Sequence, residues 1–197
     1  MLVLASASAA RRSMLAAAGV PHVADPAGVD EEAAAAALGE AGHGPRALAD
    51  ALAELKAVRV SLRHPGALVL GADQVLALDD GTQLGKPRSR DGLRRQLEVL
   101  SGRTHRLFSA AVLARDGVAL WRHVGVAVMH VRALSGEFID AYAAAVPEGV
   151  LDAVGGYHVE GLGVQLFDGI AGDLFTVRGL PLLPLLRQLR LLGVLPA

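Results

Sequence analysis

Two separate groups of side chains in this 197-residue chain have the types and spacing to handle an anion and a proton. The first lies in residues 67–87, ALVLGADQVLALDDGTQLGKP. The apolar run Ala67–Leu70 stops at Gly71, as a short buried strand does, and Asp73 follows at its mouth. A second run, Val75–Leu78, leads through the turn Asp79-Asp80-Gly81 to Lys86 in Gly85-Lys86-Pro87. A carboxylate at a strand end can hold a divalent cation or take a proton from water, and a neighbouring ammonium can hold a phosphate. The same residues have a plainer use, with Asp73 capping a turn and Lys86 solvated. The second group is Ala5-Ser6-Ala7-Ser8, which feeds a helical pattern over Ala9–Ala18. A serine-rich turn at a helix start offers free backbone N–H groups and a positive dipole end, and Arg11 and Arg12 would supplement it. Here too a structural role is open, in which Ser8 is only an N-cap and both arginines face water.

The elements that must position these residues are mixed. Leu2–Leu4 reads as a strand. Val29-Asp30-Glu31-Glu32 precedes an alanine-rich helix, where acidic residues complement the dipole. Pro45 opens a helix over Arg46–Val58 with Leu48, Leu52 and Leu55 on its stripe, and Lys56 beside the stripe either snorkels to solvent or points into a cleft. Ser89–Leu100 has helical spacing. Arg103–Ala114 and Ala119–Val131 read as long strands joined by a hairpin at Asp116-Gly117. Ser135 caps a helix over Gly136–Ala145. The glycine-rich segment Gly155–Gly163, which contains Glu160, reads as loop; Val164–Phe167 reads as a strand, and Leu180–Leu192 as a closing helix. The class is α/β or α+β with a mixed sheet, in a single domain over residues 1–197.

Composition narrows the functions. Nineteen basic and twenty acidic residues give a formal charge of −1, so no overall field draws nucleic acid or anionic lipid. The absence of cysteine removes disulfides, thiolate chemistry and cysteine-based zinc sites. The N-terminal charges follow the apolar stretch instead of preceding it, and no apolar run reaches bilayer-spanning length, so a soluble cytoplasmic protein is expected.

Taken in series, LASASAARRSML, VDE, LAELKA, GADQV with GKP, LSGRTH, GYHVEGLG and GLPL resemble the Maf family of nucleotide pyrophosphatases, over about Leu2 to Arg190. The resemblance implies a fold like the inosine-triphosphate pyrophosphatases: a long, bent mixed sheet flanked by helices, with a cleft between two lobes. It implies metal-dependent hydrolysis of a nucleoside triphosphate between the α and β phosphates, giving a nucleoside monophosphate and pyrophosphate, with Mg²⁺ or Mn²⁺ as the divalent cation. By the same resemblance, Ser6, Ser8 and Arg11 fall on the phosphate loop, Asp73 on the proton acceptor, Glu31 on the acidic partner that shares the metal with it, and Lys56 and Lys86 on the cationic positions. One common form of the loop reads Ser-Pro-Arg-Arg. Here Ala9 and Ala10 stand at the Pro and first Arg positions, and Arg12 is the candidate replacement ligand.

Three positions bear on the base. Glu160, Gln74 and Ala10 each match the branch that resembles 7-methyl-GTP pyrophosphatase, whereas the thymine- and uracil-preferring branch has Gln for Glu160 and Thr for Gln74. A carboxylate is acceptor-only and suits the adjacent N1–H and N2–H₂ donors of guanine; an amide suits uracil and thymine better. Tyr157 and Trp121 are candidate aromatic partners for a methylated, positively charged ring. The alternatives are a dTTP/UTP pyrophosphatase, or a regulatory protein that restrains septum formation by binding. The expected partners are the nucleotide and, in a homodimer, a second copy of the chain, with neither nucleic acid nor membrane.

Overall fold

The computed structural model describes residues 1–196. In chain order the elements are β1 (Leu2–Leu4), α1 (Ala9–Ala17), β2 (His22–Ala24), α2 (Glu31–Glu40), α3 (Pro45–Ser61), β3 (Leu68–Leu78), β4 (Gln83–Leu84), α4 (Arg90–Leu100), β5 (Thr104–Arg115), β6 (Val118–Val131), α5 (Gly136–Ala145), β7 (Phe167–Ala171), α6 (Leu174–Val177) and α7 (Leu182–Leu191). The strands form a seven-stranded mixed sheet in the order β2-β1-β3-β5-β6-β7, with β4 paired to β3. The chain divides into two compact units. The first holds residues 1–74, 108–125 and 174–196, the second 75–107 and 126–173.

In the first unit β1 pairs in parallel with β2 and with β3, Leu2 facing His22 on one side and Leu68 on the other. A parallel strand covered on both faces needs a continuous apolar run, and Leu-Val-Leu is one. Its alternation splits the core. Leu2 and Leu4 join Leu68, Leu70, Met14, Leu15, Leu185 and Leu189 on the side of α1 and α7. Val3, Ala5 and Val69 join Val60 of α3 on the other. The β5–β6 turn is held at Asp116 and Gly117, both with positive φ (49° and 82°), as a two-residue hairpin turn requires.

In the second unit β7 runs antiparallel to the end of β6, with an irregularity at His130/Val131. Three short 3₁₀ segments, Glu148–Asp152, Val154–Gly156 and Leu162–Leu166, carry the chain past the glycine-rich stretch.

The structure corrects three sequence expectations. Gly71 does not end a strand: β3 runs unbroken for 11 residues through it, and Asp73 lies mid-strand. The reason is packing, as described below. The strand expected at Val164–Phe167 is mostly 3₁₀ turn, and β7 begins only at Phe167. A short helix, α6, precedes the closing helix, which starts at Leu182 rather than Leu180. Among the described residues no helix is long and apolar enough to cross a membrane.

Candidate active site

The centre of the site is an ammonium held between two carboxylates. Lys56 Nζ lies 2.6 Å from Asp73 Oδ1 and 2.8 Å from Glu31 Oε1. Lys56 and Asp73 are 4% and 7% exposed, whereas the Glu31 side chain is 45% exposed. The backbone explains the pairing. A Cβ on Gly71 would stand 2.1 Å from Ala53 O and 2.6 Å from Ala57 N, so only glycine lets α3 lie directly on β3. Asp73 is two residues beyond Gly71 and so projects from the same face of the strand. Lys56 is three beyond Ala53, on the same face of the helix. Close approach at one point therefore aims ammonium at carboxylate. Glu31 arrives from the first position of α2, whose start is fixed by Asp30 Oδ1 accepting from Ala33 N at 3.0 Å. A buried charge is tolerated only when paired, and this lysine has two partners.

The serine-rich turn behaves as a cap and as a cradle. Ser8 caps α1 and accepts from Arg11 N at 3.3 Å. Ser6, 8% exposed, accepts from Ser8 N at 3.3 Å and from Arg11 Nη1 at 3.1 Å. Arg11 also donates from Nη1 to Ala72 O (2.9 Å) and from Nε to Gly179 O (2.9 Å). The guanidinium is thus held by neutral oxygens. Burial lowers its pKa, and the fields of Asp73 and Glu31 oppose that shift. These bonds tie Arg11 to Ser6, to β3 at Ala72 and to Gly179. Arg12 is exposed on α1 and makes no side-chain hydrogen bond among the described residues.

Gln74, adjacent to Asp73, points to the opposite face of β3. Its Nε2 donates to Ser109 Oγ (2.9 Å), Val177 O (3.0 Å) and Thr176 O (3.2 Å). Ser109 Oγ in turn donates to Thr176 O at 2.7 Å. Gln74 therefore clamps β3 to β5 and α6, and its amide donors are committed to the protein. Sequence reasoning missed this wall of Ser109, Thr176, Val177 and Gly179. Most of its acceptors are backbone carbonyls, which leave no mark in residue type.

Lys86 and Glu160 belong to the second unit. Lys86 is partly buried, in a turn whose Gly85 O accepts from Gln96 Nε2 at 3.0 Å and from Gly155 N at 3.5 Å. Glu160 is exposed, in a turn closed by Gly161 N donating to His158 O at 3.1 Å. The structure brings Lys56, Asp73 and Glu31 together, and Ser6 with Arg11, all within the first unit. The two aromatic candidates for a base differ in burial, Tyr157 being enclosed and Trp121 half-buried. Tyr157 is 5% exposed with its ring edge-on to Phe167 at 4.9 Å. Trp121 stacks on His123 at 6.2 Å.

Among the described residues no three His, Asp or Glu side chains cluster as a self-sufficient metal cage. The pair Glu31 and Asp73 nonetheless has the donor chemistry of a Mg²⁺ site, which commonly takes one or two carboxylates and completes its octahedron with water and substrate phosphate. Asp73 Oδ2 makes no hydrogen bond among the described residues, so one oxygen remains available.

This arrangement belongs to a recognised lineage. A nucleoside triphosphate pyrophosphatase of Sphingopyxis alaskensis is 50% identical over 195 residues, spanning 99% of this chain and 98% of the relative. A 7-methyl-GTP pyrophosphatase of Mesorhizobium japonicum is 53% identical over 194 residues, spanning 98% and 97%. Among solved structures, a nucleoside-triphosphatase / dITP/XTP pyrophosphatase of Mycobacterium abscessus aligns with a TM-score of 0.49 at 16% identity, over 99% of this chain and 97% of that one, too remote to add weight. Residues 1–192 match the family described as Maf-like protein, and the chain belongs to that family.

Proposed function

We propose that this protein is a nucleoside triphosphate pyrophosphatase that cleaves between the α and β phosphates, with 7-methyl-GTP or a related modified guanine nucleotide as its substrate. The observation that carries the reading is the Lys56 ammonium held between Asp73 and Glu31, on a strand whose next carbonyl back, Ala72 O, binds Arg11. Relatives about half identical to this chain bear that activity in their names, one of them with 7-methyl-GTP as substrate. The base assignment rests on Glu160, whose acceptor-only carboxylate complements the N1–H and N2–H₂ edge of guanine.

The chemistry follows from the residues. Water attacks phosphorus, the α–β bridging P–O bond breaks, and pyrophosphate leaves with the bonding electron pair. Asp73, oriented by Lys56 on Oδ1, takes the water proton on Oδ2. Arg11 supplies a positive field against the charge that develops on the phosphoryl oxygens, and Lys56 adds to it. Glu31 and Asp73 would hold a divalent cation, Mg²⁺ or Mn²⁺, which when bound neutralises phosphate charge.

The experiment is a pyrophosphate-release screen of purified protein over common and modified nucleoside triphosphates, with Mg²⁺, with Mn²⁺ and with chelator. Release that needs the cation and is fastest with 7-methyl-GTP is expected. No release from any nucleotide would refute the enzyme, and fastest release from dTTP or UTP would refute the base assignment.

A further inference from the structure

The second unit contains a buried polar pair that the hydrolytic centre does not use. His105, on β5, is 0% exposed, and its Nε2 lies 2.7 Å from Tyr157 Oη. Nδ1 of the same ring is buried with no hydrogen-bond partner among the described residues. Counting donors assigns the bond. If Tyr157 O–H donates to Nε2, only Nδ1–H is left unpaired. If Nε2–H donates instead, both the tyrosine proton and the Nδ1 lone pair are left unpaired. The first arrangement leaves fewer orphans, so the tyrosine donates to a neutral imidazole. A buried group left partly unsatisfied costs stability and persists where the surrounding fold requires it.

What the pair holds is the glycine-rich segment. Tyr157 is the hub around which residues 155–163 wind. A Cβ at Gly155 would meet the Tyr157 ring at 2.7 Å, and one at Gly163 would meet Tyr157 Cβ at 2.9 Å and His158 O at 2.5 Å. A second tyrosine hydroxyl, Tyr142 Oη, donates to Gly156 O at 3.1 Å. The segment also buttresses the Lys86 turn: Gly155 N donates to Gly85 O, and a Cβ at Gly156 would stand 3.3 Å from Pro87 Cγ. Tyr157 is thus fixed by its ring against Phe167 and by its hydroxyl on His105, three residues before the exposed Glu160.

We propose that His105 and Tyr157 are positioning residues for base selection: their hydrogen bond locks the turn that presents Glu160, so that loss of the bond loosens nucleotide discrimination without removing any group that touches phosphate. The proposal rests on the base-reading role of Glu160 given above. Holding a turn by one buried bond also sets the scale. A net bond of this kind corresponds to roughly a two- to tenfold change in an equilibrium.

The test uses full-length Tyr157→Phe, which keeps the ring and removes the hydroxyl, with His105→Leu, and with His105→Gln as the conservative partner whose Oε1 can still accept from tyrosine. KM and kcat are measured with 7-methyl-GTP and with dTTP, and amide hydrogen exchange is followed over residues 157–163. For Tyr157→Phe and His105→Leu, exchange in the segment should quicken, KM for 7-methyl-GTP should rise about fivefold while kcat falls by less, and the preference over dTTP should shrink. His105→Gln should recover most of each change. Unchanged exchange over 157–163 would overturn the positioning role, as would a fall in kcat alone with KM and preference intact. A wild-type enzyme that shows no preference between the nucleotides would instead refute the Glu160 reading, while the exchange data would still judge the lock itself.

Discussion

Gly71 and Ala53 approach so closely that a Cβ on the glycine would stand 2.1 Å from the carbonyl oxygen of Ala53. That contact seats α3 on β3, and the salt bridge between Lys56 and Asp73 is its consequence one step along each element. Gly71→Ala should therefore lower stability by about 1–3 kcal/mol through overpacking and reduce turnover by more than that loss of folded protein explains. Thermal melts beside activity at a temperature where the variant remains folded will separate the two effects. A variant with wild-type Tm and wild-type turnover would show that the contact relaxes freely.

Asp73→Asn keeps the shape and one acceptor but loses the charge opposite Lys56 and the proton-accepting oxygen. Turnover should fall by at least ~10²–10⁴, while circular dichroism remains that of the wild type because Glu31 still faces the ammonium. Retention of more than about a tenth of kcat, equivalent to only ~1.4 kcal/mol, would remove Asp73 from the chemistry.

Lys56→Ala removes the cation between two carboxylates. It should depress triphosphate hydrolysis strongly and lower stability, because the two carboxylates then face one another with no cation between them. Urea denaturation beside activity measurements tests this. A variant as stable as the wild type would show that Glu31 and Asp73 do not sense one another.

His105 gives a pH dependence of known sign. Burial, with a smaller contribution from the nearby His130 charge, lowers its pKa from 6.5 to about 4. Above pH 6.5 the group is neutral in both folded and unfolded chains and has no effect. As pH falls from 6.5 towards 4, the unfolded chain gains a proton that the folded chain refuses, so stability declines through that window and the effect levels off below it. The full loss from this residue is on the order of 3 kcal/mol. Denaturation of wild type and His105→Gln from pH 7.5 to 4.5 should show a shallower decline in the variant, and parallel curves would contradict the assignment.

Glu160→Gln turns one acceptor oxygen into a donor. kcat/KM for 7-methyl-GTP should fall ~10-fold or more, while relative activity on dTTP and UTP rises. Three unchanged values would mean that Glu160 does not read the base.

Part of the candidate site was legible in residue type. Asp73, Lys56, Ser6, Arg11 and Glu31 stand in motifs whose order identifies the family, and the structure pairs Lys56 with Asp73 and Glu31 and Arg11 with Ser6. The helix starts at Ser8, Pro45, Ser89 and Ser135 follow from capping rules that act over three or four residues. What the tertiary structure decided depends on contacts distant in sequence. Gly71 looked like a strand end because glycine commonly breaks strands; only the presence of α3 above it shows that it is there to admit another backbone. Gln74 matched one branch by residue type alone; that its Nε2 donates to Ser109 and to the carbonyls of Thr176 and Val177, the last two about a hundred residues away, is visible only in the structure. Arg11 could be placed beside a phosphate loop, but its tether to Gly179 O could not, since a carbonyl oxygen is the same on every residue. Local propensity and motif order are properties of neighbours along the chain. The bond partners of buried polar groups are properties of the packed core, and they exist only once the sheet has brought residues 11, 74 and 179 together.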